Sequence, residues 1–268
     1  MIEVNFFWIG NSVSPVEILA FKSCLSNSMT PILWSYENIS DLPNGVCVKN
    51  ANEIIPYSEI KSYLYDLELP IPSVSDIFRY RLLYKHGGIY SDTDIIFTRN
   101  IESLGNTEYF CSTFEYIHNT CASNCFMKLN KGSSVAKFLV EESNKKLLNF
   151  QSQGTSNFNY CDLGPFLVQD AVRKLGVLVL TYDFINPISW RFTDKIIAYK
   201  KRDYRFLLKN LLRKFSFGKI ESRGYFLTES TYAVHLCHEM WRLKGINKYE
   251  TLHPSCLYEK LKKRYSIN

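Results

Sequence analysis

The stretch from Ser75 to Phe97, SDIFRYRLLYKHGGIYSDTDIIF, constrains this chain's fold more than any other. Its first half, Ser75 to Lys85, has helical patterning, and His86-Gly87-Gly88 ends that helix with residues that tolerate a left-handed backbone. Ile89-Tyr90 and Ile95-Ile96-Phe97 then read as strand on either side of Asp92-Thr93-Asp94. On an extended chain Asp92 and Asp94 point to the same face, because strand side chains alternate. Two carboxylates on one face suit a hard divalent cation, Mg²⁺ or Mn²⁺, with coordination positions left for a diphosphate. A lone Asp-x-Asp is more often a solvated loop. A phosphatase-type aspartate nucleophile is a second alternative, but that motif wants Thr or Val where this chain has Ile96.

Upstream, Asp76, Arg79 and Tyr80 fall at i, i+3 and i+4 and share one helical face, while Ile77, Leu82 and Leu83 supply an apolar side. Asp76 and Arg79 are either a surface ion pair or a polar face turned toward the aspartates. Val4 to Ile9 reads as a buried strand that ends at Gly10-Asn11, and Ser14-Pro15 as the cap and first turn of a helix to about Leu25. Pro31 to Tyr36 and Val46 to Lys49 are further strand candidates, and this strand–helix–strand order favours an α/β fold. Helices are expected over Tyr57 to Leu67, Ser134 to Leu148 and Leu163 to Leu175, and a strand over Val177 to Leu180. Thr231 to Trp241 reads as a strand that leads into a loop. Phe192 to Arg223, basic and aromatic, fits neither period and suits an acceptor-side insertion. Without repeats or linkers, residues 1–268 read as a single domain with a basic C-terminal portion, 191–268.

That portion carries 18 basic against 7 acidic side chains, whereas residues 1–190 carry 14 against 19. The excess is either a solvated face or an attraction to diphosphates or to an anionic membrane surface. No recognition motif accompanies it, so nucleic acid is not an expected partner. Hydrophobic residues make up 46% of the chain, enough for a sizeable core. The eight cysteines are scattered and form no CxxC pair, which suits free thiols in a reducing compartment better than a disulfide framework or a zinc site. The opening MIEVNFFWIG has no basic n-region and too short an apolar run for a signal peptide or a membrane span. The expected location is therefore cytoplasmic, with peripheral contact at the inner face of the cytoplasmic membrane as an extension.

The segment SDIFRYRLLYKHGGIYSDTD resembles the sugar-binding DXD region of glycosyltransferase family 32. That family includes capsule and lipopolysaccharide glycosyltransferases, and the clostridial glucosylating toxins are more distant relatives. Weaker likenesses extend along the chain. Phe6-Phe7-Trp8-Ile9-Gly10 is similar to the family's opening strand, Asn124 to Gly132 to an Asn followed by a Gly turn, Gly164-Pro165 to a helix start, and Ala233-Val234-His235 through Trp241 to a late His…Trp motif. The chain departs from the pattern at Asn5, where the family has His, at Ser133-Ser134 for His-Pro, and at Met240 for Ser.

The resemblance implies a GT-A type nucleotide-sugar-binding fold, a mixed central sheet flanked by helices, with a UDP-sugar donor, Mn²⁺ or Mg²⁺, and retention of anomeric configuration. Carried over residue by residue, it implies catalytic roles for Asp76, Arg79 and Asp92. It implies donor contacts from Trp8, Ile9, Gly10, Asp76, Arg79, Tyr80, Gly88, Asp92, Thr93, Asn124, Gly164 and Trp241. Asp92, Asp94, His235 and His238 would be candidate metal ligands. Trp8 would stack on the donor base, although a core Trp is an equally good reading of that residue alone. The implied function is transfer of a hexose-type sugar to a glycan or lipid-linked oligosaccharide acceptor in surface polysaccharide biosynthesis. A toxin-like protein glycosyltransferase and an inactive nucleotide- or carbohydrate-binding module are the alternatives.

Overall fold

The computed structural model describes residues 1–115, 119–155, 158–217 and 221–267. Residues 218–220 and 268 of the basic C-terminal portion thus lie outside the described residues. Among the described residues the centre of the molecule is a seven-stranded mixed sheet. Strands β1 (Ile2–Trp8), β2 (Met29–Ser35), β3 (Cys47–Asn50) and β4 (Gly88–Ser91) run parallel, with β1 between β2 and β4. Next to β4 lies β7 (Asn119–Leu129), antiparallel both to it and to β6 (Tyr109–Glu115), and β8 (Leu178–Val179) closes that edge. A separate antiparallel ribbon pairs β5 (Ile95–Phe97) with β9 (Ala233–His235). The mixed α/β class is the one the sequence implies.

Alternation along the strands explains the layers. In β1 and β2, Phe7, Ile32 and Trp34 join one core, while Val4, Phe6, Met29 and Leu33 join another on the opposite face. The first core is covered by α3 (Ile71–His86), α4 (Ser134–Gln153) and α5 (Pro165–Leu175). The second is covered by α1 (Pro15–Ser26) and the ribbon. Helix α1 starts as its sequence dictates, with a capping box in which Glu17 Oε2 accepts from the Ser14 N–H at 2.6 Å. A third core joins α1 and β9 to α8 (His238–Leu243) and α9 (Leu257–Arg264).

Several expectations need correction. The helix expected from Ser75 begins at Ile71, because Pro72 falls in a first turn where a missing N–H costs nothing. The helix expected over Tyr57 to Leu67 is α2 (Tyr57–Lys61) followed by a wide π turn, Ser62–Asp66. The long β6–β7 pair lies where the sequence shows no clean strand period. The loop expected up to Trp241 is instead helix α8. Within Phe192 to Arg223, two short turns follow the four-residue α6 (Tyr182–Ile185) and lead to α7 (Tyr204–Phe217), so the described part of the segment is largely helical.

Candidate active site

Strand β4 runs out at Ser91, and the chain turns at Asp92-Thr93-Asp94 before β5, with the Ile95 N–H donating to the Asp92 carbonyl at 3.2 Å. The two carboxylates therefore converge through a turn, not through the alternation of a continuous strand. Backbone bonds hold the turn from both sides. The Asp92 N–H donates to the Cys125 carbonyl on β7 at 2.8 Å, and the Leu236 N–H donates to the Asp94 carbonyl at 2.9 Å. Because β9 pairs with β5, His235 lies directly opposite Ile95 and its ring reaches the same point. One ligand atom each from Asp92, Asp94 and His235 lies within 4.8 Å of the others.

His235 is oriented by a residue that sequence reasoning missed. Asn186 Nδ2 donates to the Ser112 carbonyl at 2.8 Å, so Asn186 Oδ1 faces the imidazole, 3.0 Å from Nδ1. Nδ1 is then the protonated nitrogen toward Asn186, and Nε2 is presented to Asp94 Oδ1 at 3.2 Å. Nothing in the sequence marks Asn186, which stands 49 residues from His235. The His238 imidazole does not join the cluster. That residue contributes its backbone N–H, which donates to Asp94 Oδ2 at 2.8 Å, while its ring packs near Trp241.

The polar face of α3 does turn toward the aspartates, and Arg79 is its centre. Nη2 lies 2.8 Å from Asp92 Oδ1 and 3.2 Å from Asp76 Oδ1, Nη1 donates to the Asn124 carbonyl at 2.6 Å, and the guanidinium stacks over Tyr90. With only 3% of its surface exposed, Arg79 is committed to the protein itself. It ties helix α3 to the Asp-x-Asp turn. Asn124 Nδ2 donates to Asp76 Oδ1 at 2.7 Å and to the Tyr80 hydroxyl at 3.1 Å, and the Tyr80 hydroxyl donates to the Leu163 carbonyl. Tyr80 is fully buried, so it supports Asp76 and does not reach a donor. Gly164 follows from the same packing, since a Cβ there would sit 2.7 Å from Asp76 Oδ2.

Trp8, Ile9 and Gly10 lie half-buried where β1 ends, with β1 parallel to β4 and Asn5 opposite Tyr90. The Trp8 indole is fixed by Nε1 donating to the Ser12 carbonyl at 2.9 Å, with the Lys248 ammonium over its ring. Thr93 is half-buried at the turn, and Gly88, with φ of 97°, opens β4. Asn5, which the sequence left without a role, ties β1 to β4 by donating to the Ile89 carbonyl and accepts from the Trp34 indole. Trp241 corrects an expectation. It is fully buried, donates to the Leu236 carbonyl and meets Tyr258 edge-on, so it is a core residue of α8.

The electrostatics separate the acidic groups. Burial pushes the Asp76 carboxyl up to about 6 against the pull of Arg79 and the Asn124 hydrogen bond. Asp92 is also raised, by burial with Asp94 acting in the same direction, although Arg79 and His235 oppose it. Burial pushes Asp94 upward too, but the His235 charge and the hydrogen bonds from His235 and the His238 N–H outweigh it and hold Asp94 low. Burial favours a neutral His235, but the charge of Asp94 beside Nε2 outweighs it and raises the imidazole, so Nε2 carries a proton toward Asp94 as well. Two carboxylates and an imidazole on one point fit a divalent cation, which would replace the proton they now share.

Comparison with known proteins agrees with this geometry. Residues 16–111 match the family described as glycosyltransferase sugar-binding region containing DXD motif, a stretch that holds Asp76, Arg79, Asp92 and Asp94. The match covers 96 of the 268 residues and includes the whole Asp-x-Asp turn. Among solved structures, PaToxG glycosyltransferase is similar over 98% of this chain and 84% of its own, at 16% identity and TM-score 0.48. The UDP-bound glycosyltransferase domain of the YGT toxin is similar over 67% and 78%, at 11% identity and TM-score 0.45. The glycosyltransferase GlyE of Streptococcus pneumoniae TIGR4 is similar over 92% and 62%, at 13% identity and TM-score 0.38. At these scores the reading of the site depends on its residues and not on these three likenesses. No curated protein matches the chain.

Proposed function

We propose that the chain is a single-domain, GT-A type, cation-dependent glycosyltransferase that moves a hexose-type sugar from a UDP-sugar to a glycan acceptor. The observation that carries this reading is the convergence of Asp92, Asp94 and His235 from two separate β-connections on one point. Asp94 and His235 Nε2 would hold the cation, with Asp92 beside them. Carboxylates with an imidazole suit Mn²⁺ better than Mg²⁺, which favours an all-oxygen shell. Bound there, the cation would neutralise charge on the departing diphosphate.

The protein's own groups do the remaining work. Arg79 bridges Asp76 and Asp92 and fixes both carboxylates. Asp76, hydrogen-bonded by Asn124 on β7 and packed against Gly164 at the start of α5, would accept from sugar hydroxyls. The face of Trp8 away from Lys248 is the base-stacking surface. Retention belongs to the same proposal. The bond between the sugar's anomeric carbon and the diphosphate oxygen breaks, the acceptor oxygen bonds to that carbon on the same face, and the acceptor proton passes to the leaving phosphate. Surface polysaccharide is the proposed product, built on a glycan or lipid-linked acceptor, with peripheral contact to an anionic membrane through the basic C-terminal portion.

A screen of UDP- and GDP-hexoses for nucleotide release, with Mn²⁺ and with a chelator, tests this reading. Release from a UDP-sugar that needs Mn²⁺ and yields the retained anomer is expected. A trapped covalent glycosyl–enzyme adduct would overturn the same-face mechanism, and turnover of sugar phosphates without any nucleotide would overturn the function.

A further inference from the structure

Helix α7 presents apolar side chains on two opposite faces. Inward, Phe206 packs with Phe192, Tyr225 and Phe226, Asn210 donates to the Tyr225 carbonyl at 3.2 Å, and the Arg213 guanidinium lies over the Tyr225 ring. Outward, Tyr204, Leu208, Leu211, Leu212 and Phe215 recur at helical spacing and form one ridge. Each is more than half exposed, and Phe215 reaches 83%. At 100° per residue, Arg205 and Lys209 fall along one edge of this ridge and Lys214 along the other. The helix contains Arg205, Lys209, Arg213 and Lys214 and no acidic residue. A contiguous exposed patch of this kind marks an interaction surface, since monomers rarely leave one to water.

We propose that the α7 ridge docks the protein onto an anionic lipid bilayer. Its leucines and aromatic rings would enter the boundary between headgroups and acyl chains, and the flanking Arg and Lys side chains would meet lipid phosphates. This deepens, and rests on, the membrane-side part of the reading above by naming the element that makes the contact. The helix lies on a bilayer and does not span one: α7 has 14 residues, and no helix among the described residues is long and apolar enough to cross. Charge decides between a bilayer and a second copy of the chain. A symmetric dimer through this ridge would bring Arg205, Lys209 and Lys214 near the same three side chains of a second copy, whereas lipid phosphates are of opposite sign.

Co-sedimentation of the full chain with vesicles tests the proposal, using phosphatidylcholine alone and equal parts phosphatidylcholine and phosphatidylglycerol. Binding is expected only with the anionic vesicles. The pair Leu208→Glu and Leu212→Glu should weaken it by at least about tenfold, since each removes a leucine from the apolar phase. Lys209→Ser with Lys214→Ser should weaken it several-fold and reduce its sensitivity to salt. In a Leu212→Trp variant, a blue shift of the added emission on anionic vesicles is expected. Mn²⁺-dependent UDP binding, measured on the same samples, separates the two claims. UDP binding with no vesicle binding, or with vesicle binding that survives the Leu→Glu pair, overturns the docking proposal alone. Ridge-dependent vesicle binding without UDP binding sustains docking and overturns the donor site. A stable dimer in solution that the Leu→Glu pair makes monomeric would also overturn docking, with a second copy as the occupant.

Discussion

Asp94 and His235 could be named from sequence because they sit in local motifs, but what fixes them could not. Asn186 holds the imidazole through one oxygen, whose direction is set by a bond to the Ser112 carbonyl, and neither contact leaves a pattern in the chain. Removing it as Asn186→Ala should weaken Mn²⁺ by about 10–100-fold, the usual cost of losing a partner behind a metal-binding His. Asn186→Asp keeps an acceptor for the imidazole but loses the Nδ2–H bond that orients it, so it should fall between the wild type and Asn186→Ala, and titration of Mn²⁺ by paramagnetic resonance measures both. Gly164 makes a complementary point. Its role is the space it leaves, since an added Cβ would meet Asp76 Oδ2 at 2.7 Å. Gly164→Ala should destabilise the fold by about 1–3 kcal/mol in urea unfolding and weaken UDP binding by displacing Asp76.

Among the elements, α5 was legible from a single buried face, β1 from a continuous apolar run that is buried on both faces of the sheet, and α1 from its Ser14-Pro15 start. The β6–β7 pair was not, because its strands carry Ser, Thr, Asn and Cys and its alternation slips at a bulge between Phe110 and Cys111. Helix α7 was hidden for the opposite reason, having apolar residues on both faces and so no single stripe. Strand alternation puts the two Asp-x-Asp carboxylates on one face, but the segment is a turn clamped between β7 and the end of β9, and the turn is what brings them together. The helix-to-strand junction just before it depends on Gly87. There φ is 70°, and a Cβ would stand 2.6 Å from the Lys131 backbone nitrogen. Gly87→Ala should therefore cost more than the ~1 kcal/mol of a left-handed alanine and lower the melting temperature by several degrees, as calorimetry would show.

At the scale of the whole molecule, the clustered acids link stability to pH and to the cation. Asp76 and Asp92 bind protons more tightly in the folded chain than in the unfolded one, whose Asp pKa is about 4. Protonated His235 adds to this above its unfolded value of about 6.5. The folded state then binds more protons, so stability falls as pH rises. The Asp76 contribution is lost between about pH 4 and 6 and that of Asp92 between about pH 4 and 8, while that of His235 is lost from about pH 6.5 upward, through its folded pKa. The depressed Asp94 acts oppositely, giving stability that is present above about pH 4 and lost as the solution is acidified through its folded pKa. Calorimetry in chelator should thus show a melting temperature that declines from mildly acidic to alkaline pH and recovers at the alkaline end with Mn²⁺. A flat profile that Mn²⁺ leaves unchanged would contradict the arrangement. The most direct test of the central claim is isothermal titration of UDP into the wild-type protein and Asp94→Ala, each with and without Mn²⁺. The account predicts binding that requires Mn²⁺ and disappears in the variant. UDP binding that is equal in all four titrations, or absent from all four, would contradict a cation-held donor site at Asp92, Asp94 and His235.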